Sequence, residues 1–279
     1  MSLRPGLVSV TFRQLVPAEV VALARAAGLA GIEWGGDVHV PPGDDDVARR
    51  VADLTTGAGL AVSGYGSYYR LGHSAAEGLA PETVVRTARL LGAPVIRIWA
   101  GRRPSTEADA HYRASVVEDA RRVADLAGAA GLTVAFEYHR NTLTDTRGST
   151  AWLLETLAGL PVRTLWQPQP ERDRAENLAD LHAVLPYLAD LHVFAWTPQR
   201  QRLPLHSHHA DWAAYLTAAR SAPGQRFASL EFVIDDDPGL LPTEADTLHR
   251  LLGTDPPAPR HPHHAAPRPR PSGTQPRTR

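Results

Sequence analysis

The sequence predicts a closed (β/α)8, or TIM, barrel of the α/β class, a single domain over residues 1–253. Three observations carry this. A unit of helix end, glycine and short strand recurs as AAGLAGIEW, GAGLAVSGY, LLGAPVIRI and AAGLTVAFE. Glycine just past a helix accepts the left-handed conformation that stops it. Eight predicted strands alternate with eight predicted helices, which implies parallel pairing through right-handed crossovers. The 279 residues also suit such a barrel, which takes about 250. The competing architecture is an open doubly wound sheet. No Gly-x-Gly-x-x-Gly follows the first strand, so a dinucleotide site has no support.

The elements follow in order. Residues 7–12 (LVSVTF) read as the first strand, and Pro17 opens a helix at its first turn. Residues 31–34 (GIEW) are the second strand. Asp44 to Asp46 favour the start of the next helix, and residues 61–69 (AVSGYGSYY) form the third strand with its loop. Pro81 and Glu82 open a helix that ends at Gly92, before strand four at 95–100 (VIRIWA). A long helix with an irregular start spans Thr106 to Gly131. Strand five, Thr133 to His139 (TVAFEYH), alternates faces: Thr133, Ala135, Glu137 and His139 share one, and Val134, Phe136 and Tyr138 the other. Ser149 is expected to cap the next helix. Strand six is 163–168, a helix covers Glu176 to Leu185, and strand seven is 188–196 (LADLHVFAW). A helix over Asp211 to Ala222, strand eight at 226–233 (RFASLEFV) and a helix over Pro242 to Leu252 complete the series.

Composition removes several chemistries. There is no cysteine, hence no disulfide, thiolate nucleophile or Cys-based zinc site. All 29 basic residues other than histidine are arginine, so lysine Schiff-base chemistry is excluded. Residues 254–279 hold five Arg and one Asp, a charge of +4, which leaves −5 on residues 1–253. An acidic body argues against a nucleic-acid scaffold. No apolar run approaches the ~20 residues of a membrane span, and the expected setting is soluble and cytoplasmic. From Asp255 on there are eight Pro and almost nothing apolar. This segment, residues 254–279, is expected to be a disordered tail, and its His261, His263 and His264 are expected to be solvated.

Active sites of such barrels gather at the C-terminal strand ends. There strand five offers Glu137, strand six Gln167, strand seven His192 and strand eight Glu231. Buried carboxylates need a counter-charge, and a divalent cation supplies one economically. Three oxygen donors and an imidazole suit Mn²⁺, Mg²⁺ or Co²⁺ better than a thiolate-type zinc site. Mn²⁺ is favoured, with Zn²⁺ also admissible. His139 lies one step above Glu137. Trp34, Trp99 and Trp196 lie near strand ends and are expected to face the substrate, as is Arg202 from the RQRLPLHSHH run; Tyr65 and Tyr69 are further aromatics of the rim or core. Arg97 shares a face with Trp99 and is assigned to an ion pair with Glu33.

EYH on strand five, LHVF on strand seven, LEFV on strand eight and GIEW after the first helix resemble the xylose isomerase-like superfamily, in particular its sugar phosphate isomerase/epimerase group, also called the AP endonuclease family 2 fold. The resemblance spans about residues 5–252. It implies a divalent metal held by Glu, Asp, His and Glu from strands five to eight, at positions matching Glu137, Gln167, His192 and Glu231. It further implies that Glu137 and Glu231 act as an acid/base pair on opposite faces of a substrate carbon. The chain departs from the pattern at Gln167, where the family has Asp, and at Pro170, where it has His. A Gln oxygen still ligates a hard cation but brings no charge.

The expected activity is therefore a metal-dependent isomerase or epimerase that abstracts a proton beside the carbonyl of a sugar or keto-sugar, through an enediolate. The alternatives are a dehydratase or β-eliminating lyase on a keto-sugar or keto-glycoside, and a barrel without catalysis that serves as a binding subunit. An abasic-site endonuclease is disfavoured by the acidic body and the altered strand six. The expected partner is a small carbohydrate, not nucleic acid or a membrane. A homo-oligomer remains open.

Overall fold

A computed structural model describes residues 2–254. The expected tail, with its three histidines, lies outside the described residues apart from Thr254.

Eight strands close into a parallel barrel: β1 (Leu3–Val8), β2 (Gly31–Gly35), β3 (Ala61–Arg70), β4 (Val95–Trp99), β5 (Thr133–Glu137), β6 (Val162–Trp166), β7 (Leu188–Val193) and β8 (Arg226–Leu230). Each pairs with its chain neighbours, and β1 closes on β8 with Leu3 opposite Arg226 and Leu7 opposite Leu230. The helices outside are α1 (Pro17–Ala26), α2 (Asp45–Gly57), α3 (Pro81–Leu91), α4 (Ala110–Ala129), α5 (Arg147–Thr156), α6 (Arg174–Val184), α7 (His209–Ala219) and α8 (Leu241–Leu252). No described helix is long and apolar enough to cross a membrane.

The outward strand faces carry the apolar core. Val134 and Phe136 on β5 and Leu191 and Val193 on β7 are fully buried under the helices. Between β6 and α7 the aromatic rings of Trp166, Trp212 and Tyr215 meet edge to face at centroid separations of 5.2–6.4 Å. Each such side chain contributes roughly 1.5–3 kcal/mol by leaving water.

Several boundaries differ from the sequence reading. Strand seven stops at Val193, and Ala195–Trp196 leaves the barrel to pair antiparallel with Arg202–Leu203, a two-stranded ribbon on the rim. Strand eight stops at Leu230, because Phe232 takes the left-handed conformation (φ 60°) and turns the chain. Thr146, not Ser149, caps α5: its Oγ1 accepts the Ser149 N–H at 3.4 Å. Helix α6 starts at Arg174, where Asp173 and Glu176 form a reciprocal capping box. The irregular start expected before α4 is a short 3₁₀ turn over Ser105–Glu107, after which Asp109 caps the helix.

Candidate active site

Arg97 is the hub of the barrel mouth. It projects from β4 into the lumen and is 3% exposed. Its Nε donates to Glu33 Oε1 at 2.6 Å, and its Nη1 donates to Glu137 Oε2 at 2.5 Å. Strand β3 makes room for it: a Cβ on Gly66 would collide with Arg97 Nη2. Glu137 is held from two further sides, by Trp99 Nε1 at 2.5 Å and by the Gln167 amide, whose Nε2 donates to Oε1 at 3.1 Å.

Below this layer lies His192, fully buried at the end of β7. Its Nε2 is 2.9 Å from Glu33 Oε2. Its Nδ1 faces Glu231 Oε2 across 3.3 Å without forming a hydrogen bond, and has no other partner. Glu33 thus joins two cations, Arg97 and His192, from the opposite wall of the barrel. One step down β7, buried Asp190 accepts the Phe227 N–H at 2.5 Å and belongs to a separate cavity at the other end of the barrel.

The electrostatics follow from this packing. Burial alone would raise the Glu137 pKa, but the Arg97 guanidinium together with His139, His192 and the Trp99 N–H outweighs it and holds the carboxyl below its ordinary value. At Glu33, burial is likewise outweighed by Arg97 and His192, and the pKa falls to about 2. Burial pushes the His192 pKa down, yet the Glu231 and Glu33 carboxylates overcome this and bring it up to about 10.

Above the hub opens a cavity of about 270 Å³. Glu137, Gln167 and Glu231 line it, as do His139, Trp99 and Trp196, all predicted from sequence; His192 sits beneath its floor. The His139 ring stacks on Trp99 at 4.9 Å and 16°. Two expected substrate contacts are corrected. Trp34 does not face the cavity: the alternation that turns Glu33 inward turns Trp34 outward, where it is fully buried and its Nε1 donates to Thr55 on α2 at 3.1 Å. Arg202 does not line the cavity either; its Nη1 is held by the Val233 carbonyl and Asp236, and the guanidinium lies over the Phe232 ring at 5.1 Å. Tyr65 also points away, its hydroxyl donating to the Val40 carbonyl.

The sequence reading missed Tyr68, Phe232, Arg13, Arg140 and Arg200, which also line the cavity. Arg13, Arg140, Arg200 and Phe232 sit on loop backbone and Tyr68 on the irregular end of β3, where no periodicity signals orientation; Tyr68, Arg200 and Phe232 all have positive φ. Arg97 was readable from strand parity, and its pairing with Glu33 is as expected, but its second bond to Glu137 crosses to another strand.

The donor set can be tested against a divalent cation. No cage of three or more His, Asp or Glu donors is preassembled among the described residues, because Glu137 turns to Arg97 and the strand-six corner is an amide. The chemistry nevertheless fits. The orphaned Nδ1 of His192 is a buried donor atom with a carboxylate beside it, and its Nε2 is backed by Glu33, the usual arrangement behind a metal-bound imidazole. A cation there would take the place of the imidazole proton.

Comparison with known proteins places the chain. A family model described as xylose isomerase-like TIM barrel matches residues 21–167. No curated protein matches the sequence. Among solved structures, the probable 3-DHS dehydratase AsbF of Bacillus anthracis superposes with a TM-score of 0.75 at 19% identity, covering 89% of this chain and 98% of that one. A xylose isomerase-like TIM barrel protein of Mycobacterium smegmatis, solved in complex with magnesium, gives 0.66 at 16% identity over 90% and 96% of the two chains. The D-allulose 3-epimerase of a Methylomonas species gives 0.66 at 14% identity over 90% and 98%. At these identities the likeness is one of fold.

Proposed function

The chain belongs to the xylose isomerase-like TIM barrel family, and from that premise we propose that it is a divalent-metal-dependent isomerase or epimerase acting on a sugar or keto-sugar beside its carbonyl. The observation that carries the reading is the convergence at one cavity of Glu137, Gln167 and Glu231 over a buried His192 whose Nδ1 lacks a partner. Glu137, Gln167, His192 and Glu231 would hold the cation, Mn²⁺ by preference for such oxygen-rich donors. When bound, it would polarise the substrate carbonyl and so acidify the adjacent C–H.

The chain's own residues divide the remaining work unequally. Glu137 is pinned by Arg97, Trp99 and Gln167 and stays ionised. Among the described residues Glu231 makes no side-chain hydrogen bond and faces the His192 ring at 3.3 Å, so its carboxylate is the freer base and takes the proton. Trp99 and His139 form a stacked wall against which a substrate ring can lie. Epimerisation needs a second proton delivered on the opposite face, which Glu137 could give only after taking one up from solvent; isomerisation returns the proton held by Glu231 to the neighbouring carbon.

The same asymmetry favours a second reading, a β-eliminating dehydratase. One free base suffices when the enediolate expels a leaving group, and one neighbour of this fold is described as a dehydratase.

The test is elemental analysis of the purified protein beside the Glu137→Gln/Glu231→Gln double variant, followed by NMR of keto-sugar C–H exchange in D₂O. One Mn, Co, Mg or Zn per chain, lost in the variant, and solvent exchange dependent on Glu231 are the expected results. A protein that takes up no metal under any loading condition would overturn the metal-dependent reading.

A further inference from the structure

We propose that the N-terminal end of the barrel holds a second ligand site, which takes a small oxyanion, a phosphate or a carboxylate. The site lies at the end opposite the mouth and is independent of the metal-dependent reading. A cavity of about 320 Å³ opens there. The interior of such a barrel is ordinarily filled by layers of branched apolar side chains. Here the strand starts instead bring in Arg4 from β1, Ser63 from β3, Arg163 from β6, Asp190 from β7 and Arg226 from β8.

Three guanidinium groups thus line the cavity against one carboxylate. Neither the three arginines nor Asp190 take part in an ion pair among the described residues. Arg4 lies over the Phe227 ring at 4.9 Å and reaches only the Ala30 carbonyl, at a long 3.4 Å. Exposed Arg163 donates Nη1 to the Pro186 carbonyl at 3.1 Å, and its remaining N–H groups have no acceptor among the described residues. Arg226 is buried and spends both Nη groups on backbone carbonyls, among them Ala222 and Pro223 at 2.8 Å. It therefore adds charge to the site rather than free donors. Burial pushes the Arg226 pKa below its ordinary value; Asp190 opposes this only in part, and Arg163 reinforces it. A buried charge without a counter-charge is costly, and an anion in the cavity supplies one.

Ser63 is the second observation. Ile32 of β2 pairs with Val62, and Glu33 pairs with Gly64, so Ser63 is the extra residue of a β-bulge in β3. A bulge re-aims a side chain out of the regular alternation. This one sets Ser63, which is 3% exposed, against the cavity with its Oγ lacking any partner. Arg4 and Arg163 stand across the opening from each other, since β8 and β7 lie between their strands. An oxyanion between them accepts from both guanidinium groups and from the Ser63 hydroxyl. A neutral ligand would leave the excess of positive charge unanswered, and a cation would add to it.

The experiment is isothermal titration of the full-length protein, without added metal, with sodium phosphate and with sodium succinate at matched ionic strength. At least one is expected to bind with a Kd of about 1 mM or tighter, and the two titrations distinguish phosphate from carboxylate. Arg4→Ala/Arg163→Ala is expected to weaken binding about tenfold or more, and Ser63→Ala about threefold. Circular dichroism checks that each variant is folded. Should the double variant not fold, Arg163→Ala alone decides, since that side chain is exposed; a loss of about threefold or more is expected. Arg140→Ala, which removes an arginine from the other cavity, is the control and leaves the affinity unchanged. Failure of both anions to bind, unchanged affinity in the folded Arg4 and Arg163 variants, or an equal loss in Arg140→Ala would overturn the proposal.

Discussion

Glu33 shows how much one residue outside the cavity can decide. It accepts from Arg97 and faces the imidazole of His192, and so sets which ring nitrogen looks toward Glu231. Glu33→Gln is expected to weaken divalent-metal affinity by about 10- to 100-fold, read by titration with Mn²⁺ while circular dichroism confirms the fold. Gly66→Ala tests the room made for Arg97: the added methyl would press on Nη2 and stand 3.0 Å from Glu33 Oε1, so a loss of about 1–3 kcal/mol is expected in chemical unfolding. His39 gives a pH prediction away from the site. Burial lowers its pKa, and its ring lies between Ser9 Oγ at 2.9 Å and the Leu15 carbonyl at 3.2 Å. The folded state therefore prefers the neutral ring. Its contribution is full above the unfolded value near 6.5 and is lost as pH falls below it. His39→Gln should flatten that part of the stability profile, measured as urea midpoints on either side of the value. At this scale the sequence is readable wherever strand parity applies: Glu137, His192 and Glu231 point inward by alternation alone. Parity also turns Trp34 outward once Glu33 is inward. Arg13, Arg140 and Arg200 at the rim were hidden because loop residues have no period.

Among the elements, helix starts were legible in kind and misplaced by a few residues. Thr146 and Asp173 both lie just before the apolar pattern begins, and neighbouring Ser149 and Glu176 offer rival signals. Only the folded backbone decides between them, since a cap needs a non-helical residue whose side chain turns back onto the first-turn N–H groups. Asp173→Ala removes the acceptor of the Glu176 N–H at 2.8 Å and is expected to cost about 1 kcal/mol, read in the urea midpoint. Strands seven and eight were drawn too long for a related reason. Their apolar alternation continues past Val193 and Leu230, but the ladder ends with its partner. The left-handed turn at Phe232 is a tertiary choice for a bulky residue, and no local preference announces it.

For the whole molecule, architecture was the most legible feature, because the repeating helix–glycine–strand unit admits few closures. The joining of β1 to β8 makes the mouth a single ring, so a ligand binding four adjacent strand ends is linked to global unfolding. If the four donors hold Mn²⁺, saturation at about 100 times Kd adds roughly 2.7 kcal/mol of stability. Thermal melts with Mn²⁺ and with a chelator should separate accordingly, and those of Glu137→Gln/Glu231→Gln should coincide.

The rim ribbon of Ala195–Trp196 and Arg202–Leu203 has a consequence for how such a protein diversifies. It leaves the barrel only after β7 has finished its ladder, and rejoins the scaffold at α7. Trp196 and Arg200 reach the cavity from it, while none of its residues pairs with a barrel strand. Insertions, deletions or wholesale exchange of residues 195–203 can therefore drift under selection with little penalty to folding. The floor of the barrel mouth can stay unchanged while the ribbon is rewritten, so relatives of one barrel can part company in what they accept before they part company in what they do.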